Sequence, residues 1–438
     1  MQDGPYSNLK AVVQQTGVRP DTLRAWERRY GLPSPNRSGG KHRLYSQHDI
    51  SIIHWLLARQ REGLSISRAV ELWQRIEEEG RDPLQSPVPT APLSAPKVTL
   101  VAAGGAIARL RQEWLDACLA YDEQAAEQVI TLAFALYPPE TVCLELMQKA
   151  IAEIGERWYA GQTTVQQEHF ASALAIRRLD SLIMAAPVPI HPGRILAACP
   201  PDENHIFSLL LLTFLLRRQG WAVTYLGASV PVEQLESTLA MTRPQLVILA
   251  AQQLHTAATL WDVAQVLHRE QVPLAYGGLI FKLLPTLRSR IAGHFLGERL
   301  DGVPQVVEML MTMPHPYPRV EAIPEAYRLA RDHYHDRIGL VEADLLGGAS
   351  TLAIAPARLD LANRQLGMNI DAALALGDID NLSADLEWVE GLISNHRLPA
   401  EALRSYLCAY HEATKRHLDE RGELVVRWLD HLVGQSGC

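Results

Sequence analysis

The sequence is short of cysteine, and the five it has are badly spaced for chemistry. They stand at 118, 143, 199, 408 and 438, with no C-x-x-C pair among them. That spacing supports neither a zinc knuckle nor a disulfide framework. Cys199, at the end of an apolar run, reads as a small buried residue. Long apolar runs are missing as well. "IFSLLLLTFLL" at 206–216 is too short to cross a bilayer and is broken by Ser208 and Thr213. The opening "MQDGPYSNLK" lacks the apolar stretch of a signal peptide. These absences lead to the expectation of a cytoplasmic protein without a membrane partner. The net charge of −8 argues against a chain that coats nucleic acid along its whole length. A basic domain can still hide inside that average.

What is present is organised in pieces. A length of 438 residues suggests two to four domains. "RDPLQSPVPTAPLSAPK" at 81–97 is too rich in proline, serine and alanine to bury a core and reads as an extended linker. "APVPIHPG" at 186–193 and "MPHPYPR" at 313–319 mark shorter breaks. The expected domains are therefore 1–80, a linker at 81–99, then 100–190, 191–312 and 320–438. In 191–312, "RILAAC", "AVTYLG", "QLVILAA", "VPLAYGG" and "HFLG" alternate with helical stretches. Short buried strands separated by helices predict a doubly wound α/β domain. The pieces at 100–190 and 320–438 show helix periodicity throughout.

The N-terminal piece carries the hidden positive charge. Residues 1–61 hold ten Lys/Arg and four Asp/Glu, a difference of +6. "NLKAVVQQT" predicts a short helix over 8–16, followed by a tight turn and "RPDTLRAWERRYG". There Leu23, Trp26 and Tyr30 share one face, while Arg24, Arg28 and Arg29 lie off it. Two helices around a short turn, the second bearing arginines, predict a helix-turn-helix. Gly39-Gly40 signals a hairpin flanked by Arg37, Lys41, His42 and Arg43. Such a concentration of charge is the footprint of a DNA binder. The elements R-x-W-E-R-R-Y-G and R-L-Y resemble the winged helix-turn-helix of MerR-type regulators over residues 8–75. The resemblance implies dimeric binding to palindromic operator DNA. Arg24, Arg28 and Arg29 would lie on the recognition helix, and Arg37, Lys41, Arg43 and Tyr45 in the wing.

In the α/β piece, His205 follows the first expected strand, where doubly wound sheets bind ligands. Glu203, two residues earlier, can hold one ring nitrogen and leave the other for a metal. No second protein ligand lies nearby, so a metal that brings its own ring of ligands fits better than bare zinc. A helix-start histidine beside a surface glutamate accounts for the same residues without any ligand. "ENHIFS", "GWAVTYLG" and "YGG" together resemble the cobalamin-binding domain of methionine synthase and cobalamin-dependent mutases. Carried over, His205 is the lower axial cobalt ligand, and Gly277 and Gly278 line the slot for the benzimidazole tail. Glu203 and Ser208 stand where that family has an aspartate and a glycine. Ala250 or Ala251 stands in place of the tail-pocket serine.

The helical piece at 100–190 contains "ERWYAGQTTVQQEHF". Its Trp158, and Glu168 and His169 on the next helix, can also be plain packing and capping. The W-x9-E-H spacing, together with the rest of 100–312, resembles CarH-type and LitR-type regulators. Those are MerR-type repressors with adenosylcobalamin as chromophore. The resemblance implies a four-helix bundle in which Trp158 and Glu168 cover the adenosyl group. Val165 would face the same pocket, with His169 at its rim. Light would break the cobalt–carbon bond and change homo-oligomer assembly, dimer or tetramer, and with it operator binding. Tyr159 stands where the CarH pattern has a histidine that captures cobalt after photolysis. A phenol with an ordinary pKa of about 10 is a poor substitute.

Residues 320–438 lie outside that layout. They carry His333, His335, His396, His411, His417 and His431. A weak internal repeat aligns Asp371 with Asp116 and Pro399 with Pro138. Two readings stand for this piece, a packing or dimerisation bundle and a site for a second tetrapyrrole, bilin or haem. The expected whole is a multidomain α and α/β protein: winged helix-turn-helix, four-helix bundle, Rossmann-like cobalamin-binding α/β domain and extra C-terminal helical domain. The expected function is a cobalamin-dependent regulator with no catalytic residues. Alternatives are a light-independent cobalamin or tetrapyrrole sensor, a corrinoid methyl carrier, and a DNA-binding protein that has lost cobalamin.

Overall fold

The computed structural model describes residues 7–16, 18, 20–37, 43–61, 66–78, 82–83, 100–313, 318–348, 354–382 and 400–436. The chain divides into two compact units, Met1–Val98 and Thr99–Cys438.

In the first unit the elements run β1 (Ser7–Asn8), α1 (Leu9–Thr16), α2 (Pro20–Tyr30), β2 (Asn36–Arg37), β3 (Arg43–Tyr45), α3 (Gln47–Arg61) and α4 (Ile66–Glu78). The strands form an antiparallel sheet, β1-β3-β2. Asn36 opposite Leu44 and Arg37 opposite Arg43 set the register of the expected wing hairpin. Pro20 opens α2, where its missing N–H costs nothing. One face of that helix buries Leu23 and Trp26 against Val12, Ile53, Leu56 and Trp73. Asp49 fixes the start of α3. It accepts from the Ser46 N–H at 2.8 Å, and the Ser46 hydroxyl accepts from the Asp49 N–H at 3.2 Å.

The second unit begins with four helical rods. They are α5 (Leu100–Leu119), α6 (Glu123–Leu136), α7 (Pro139–Thr141) continuing through a π-helical stretch (Val142–Gln148) into α8 (Lys149–Tyr159), and α9 (Val165–Met184). The α/β half follows with β4 (Arg194–Ala198), α10 (Phe207–Arg218), β5 (Ala222–Gly227), α11 (Leu235–Thr242), β6 (Leu246–Ala250), α12 (Leu254–Arg269), β7 (Leu274–Gly277), α13 (Leu279–Leu283), β8 (His294–Phe295) and α14 (Val303–Thr312). The helices α15 (Glu325–Gly347), α16 (Pro356–Leu376), α17 (Ala400–His417) and α18 (Glu423–Ser436) complete it.

All five expected strands are present and parallel, in the order β5-β4-β6-β7-β8. Their residues alternate between two cores, as a strand period of two requires. Ile195, Ala197, Cys199, Leu246, Ile248 and Ala250 enter one. Leu196, Ala198, Val247, Leu249 and Ala251 enter the other. Burial pushes the Cys199 thiol up to about 12, which makes it an inert core group.

Two helices explain how the α/β half joins its neighbours. α10 is apolar nearly all round because it is buried on two sides. Leu209, Leu212 and Leu216 pack on the sheet. Phe207, Leu210, Leu211, Phe214 and Leu215 pack with Trp114, Ile130, Leu146 and Leu174 of the first bundle. On the opposite face α12 does the same for the C-terminal helices. Leu254, Leu260, Val263 and Leu267 share one core with Leu366, Ile370 and Leu374 of α16. The C-terminal helices thus share a core with the α/β half, as the packing reading of 320–438 allows. Their apolar face closes the second side of the sheet, so the break at 313–319 separates no core. Cys408 is disulfide-bonded, which the spacing of the five cysteines did not suggest. Among the described residues no helix is long and apolar enough to cross a membrane.

Candidate functional site

The site lies at the carboxyl end of β4, where the order of the sheet reverses between β5 and β6. The loop 199–206 brings Glu203 inside, fully buried, while the His205 side chain is 60% exposed. Glu203 Oε1 accepts from the His205 backbone N–H at 2.8 Å and sits 2.7 Å from His205 Nδ1. Oε2 accepts from the Gln252 N–H at 2.6 Å and from the Thr256 hydroxyl at 2.7 Å. Burial alone pushes this carboxyl up. The hydrogen bonds from His205 and Gln252 outweigh it and hold the group below its ordinary range. His205 is raised, first by its hydrogen bond to Glu203, against a desolvation that lowers it. The carboxylate thus holds Nδ1 and leaves Nε2 on an exposed ring, the arrangement a single-imidazole metal ligand needs.

The helical bundle meets the same place. The charge of Glu168 acts on His205, raising it further. Glu168 is itself positioned at the first turns of α9, where Thr164 and Gln167 form a reciprocal cap. Its Oε1 accepts from the Ser172 hydroxyl and its Oε2 lies beside His169 Nδ1, both at 2.6 Å. Trp158 is half-buried in the last turn of α8; Tyr159 and Val165 are exposed. Ser208 is half-buried in the first turn of α10.

The two glycines differ. A Cβ on Gly277 would meet nothing within 4 Å. One on Gly278, at φ +125, would lie 1.8 Å from the Ala251 carbonyl oxygen. Gly278 is therefore required by the close approach of β7 and β6, and Gly277 alone borders open space. Sequence reasoning missed Gln252, Thr256 and His255, although they directly follow β6, and exposed Leu226 and Leu279 at the ends of β5 and β7. The rule that ligands gather beyond strand ends would have found them.

In the DNA-binding unit Arg24, Arg28 and Arg29 are exposed along α2. One expected wing contact is corrected, and a second side chain is engaged within the unit. Tyr45 is fully buried, and its hydroxyl donates to Glu27 Oε1 at 2.6 Å. Arg43 Nε donates to Glu27 Oε2 at 2.7 Å, and that bond raises its pKa. Arg43 neutralises the Glu27 carboxylate and the Tyr45 hydroxyl hydrogen-bonds it. The Arg37 side chain and Lys41 lie outside the described residues.

The C-terminal histidines are also tied down. His335 stands 2.6 Å from Asp371, His417 3.0 Å from Asp344, His333 3.2 Å from Asp419. His411 Nε2 stands 2.9 Å from Asp430 without hydrogen-bond alignment. Each carboxylate also binds an Arg or Lys. His396 lies outside the described residues. These pairings give the expected second tetrapyrrole no support.

The chain thus carries a helix-turn-helix unit and a parallel α/β half with an exposed histidine beyond its first strand, the two parts of a regulator-type chain. The family of MerR HTH family regulatory proteins matches residues 8–76, and the B12 binding domain family matches residues 110–183. The HTH-type transcriptional repressor CarH of Myxococcus xanthus is 32% identical over 301 residues, covering 66% of this chain and 95% of the relative. CarA of the same organism, also an HTH-type transcriptional repressor, is 33% identical over 246 residues, covering 55% and 75%. A monomethylamine corrinoid protein of Methanosarcina barkeri overlaps 47% of this chain and 97% of its own, with 15% identity and a TM-score of 0.38, too low to argue from. The chain belongs to the cobalamin-binding, MerR-type transcriptional repressors that include CarH and CarA.

Proposed function

We propose that this regulator binds adenosylcobalamin as a light-sensitive ligand and that losing the adenosyl group changes its hold on operator DNA. The observation that carries the reading is the clamped Glu203–His205 pair, with the charge of Glu168 acting on His205. The donor set fits the cofactor, since one exposed imidazole suffices for a metal already ringed by four nitrogens. Bound adenosylcobalamin would supply a cobalt–carbon bond that light cleaves. His205 would be the axial ligand, with Ser208, Gly277 and the Gly278 backbone bordering the lower side. Trp158 and Glu168 would cover the upper group, with Val165 and His169 at the rim.

The chain's own part in signalling follows from its packing. Trp158 lies in the last turn of α8 and Glu168 in the first turn of α9, and the bundle's core rests on α10, whose first turn follows His205. Trp158 and Glu168 would hold the adenosyl group across the turn between α8 and α9, so its occupancy would bear on how the two rods sit. A rigid-body shift over α10 would then alter homo-oligomer assembly. Arg24, Arg28 and Arg29 would meet a palindromic operator through paired copies of the first unit.

Exposed Tyr159 favours a second reading, a cobalamin sensor that ignores light. Protein incubated with adenosylcobalamin in the dark, desalted and illuminated with green light separates the two. A retained corrin band that shifts on illumination supports the photoreceptor. A band that stays unchanged leaves the light-independent sensor, and no retained band removes both. Replacing His205 with Ala should abolish the axially ligated spectrum; an unchanged spectrum would exclude His205 as ligand.

A further inference from the structure

One polar side chain beside the site has no assigned role. His255 lies in the first turn of α12, between Gln252 and Thr256, both of which donate to Glu203 Oε2. Glu203, Asp202 and His205 all act on its ring electrostatically. The ring is half-buried, and burial lowers its pKa, which favours the neutral form. Its Nδ1 is buried and has no hydrogen-bond partner among the described residues. Buried polar atoms in folded proteins are nearly always met by a partner. A neutral imidazole offers one donor and one acceptor. No group of three or more His, Cys, Asp or Glu able to hold a metal ion occurs among the described residues, so a bare-metal site shared with His205 is unsupported.

We propose that His255 is a further cobalamin-binding residue, hydrogen-bonding a polar group on the lower side of the cofactor, the side that carries His205. Two parts of cobalamin present that chemistry there, the peripheral amides of the corrin and the phosphodiester of the nucleotide tail. Both accept a hydrogen bond from a neutral ring, and the amide can also donate to one. The inference rests on the cobalamin reading above.

The test is a spectral titration of the full chain and its His255→Phe and His255→Gln variants with aquocobalamin and with aquocobinamide, which lacks the nucleotide tail. The Phe variant should bind cobalamin about tenfold more weakly, because its ligand partner goes unpaired. The Gln variant, which keeps a donor and an acceptor, should stay within about threefold of the parent. If the Phe variant shows the same loss with cobinamide, the partner is a corrin amide. If the loss vanishes with cobinamide, the partner is the tail phosphate. A Phe variant that binds cobalamin like the parent overturns the proposal, as does a Gln variant as weak as Phe. A parent chain that binds no corrin removes the cobalamin reading itself, a different result. Thermal melts of the cofactor-free variants check folding, and His255→Leu replaces Phe in the comparison if the larger ring disturbs α12.

Discussion

Two helical bundles flank one sheet, and they end differently. The first rests on α10 and carries half-buried Trp158 and the Ser172-held Glu168, whose charge acts on His205. The second rests on α12 and binds its elements with four carboxylates, each shared by one histidine and one Arg or Lys. Both use the same apolar seam. In the first, Glu168 is paired within its own helix α9, by Ser172 and His169; in the second, Asp371 and Asp344 each tie an arginine and a histidine of another helix. The polar groups named are satisfied in both, and the difference is whether the pairing stays on one helix or crosses to another.

The comparison breaks most severely at the seams. Phe214→Ala in the first and Leu374→Ala in the second each remove a side chain at most 1% exposed. Each should cost about 2–5 kcal/mol. Because both seams grip the same sheet, urea unfolding should show one transition for Thr99–Cys438 in either variant. A C-terminal region that melts alone would refute the shared core.

A smaller effect is expected at the site end of α12. Thr256→Val deletes a donor to a fully buried carboxylate and should destabilise by about 1–3 kcal/mol. Cobalamin retention should fall with it, although Thr256 belongs to the helix that carries the second bundle. Unchanged retention would confine Thr256 to a structural role.

Smaller still is a pair of matched surface changes. Glu168→Gln should weaken adenosylcobalamin binding and leave the melting temperature alone. Asp344→Asn, which breaks contacts to Arg416 and His417, should cost about 0.2–1 kcal/mol and leave binding alone. Calorimetry and titration of both variants would expose a reversal of these roles.

The smallest effect concerns Asp262, on α12 at the second seam. Burial raises its carboxyl above the ordinary 3.8; Arg331 opposes and Asp371 adds to the rise. The folded state therefore holds this proton more tightly than the unfolded chain does. Its contribution to stability falls as pH rises through that window. Asp262→Asn should melt slightly higher than the parent at neutral pH, with the gap closing toward pH 3.8. A gap that widens on acidification would reverse the sign.

Much of this was legible in the sequence because it depends on local rules. The five strands followed from short apolar runs between helical stretches, and α2 from its stripe of Leu23 and Trp26. His205 and Glu203 were legible because two residues of spacing fix a local hydrogen bond. Tyr45 was not, since an aromatic in a basic hairpin looks the same whether it faces solvent or Glu27. Gly278 was expected to line a ligand slot; the contact the structure gives it is the Ala251 backbone.

By itself the sequence determined the element types, the charge concentrated in residues 1–61 and the family pattern, because periodicity, composition and motif spacing are properties of neighbouring residues. Only the tertiary structure decided that Gln252 and Thr256 hold Glu203, that His255 lies beside them, and that the C-terminal helices share the α12 core. Those contacts join residues about 50 to 120 positions apart, and burial and long-range hydrogen bonding are set by which surfaces the chain folds together.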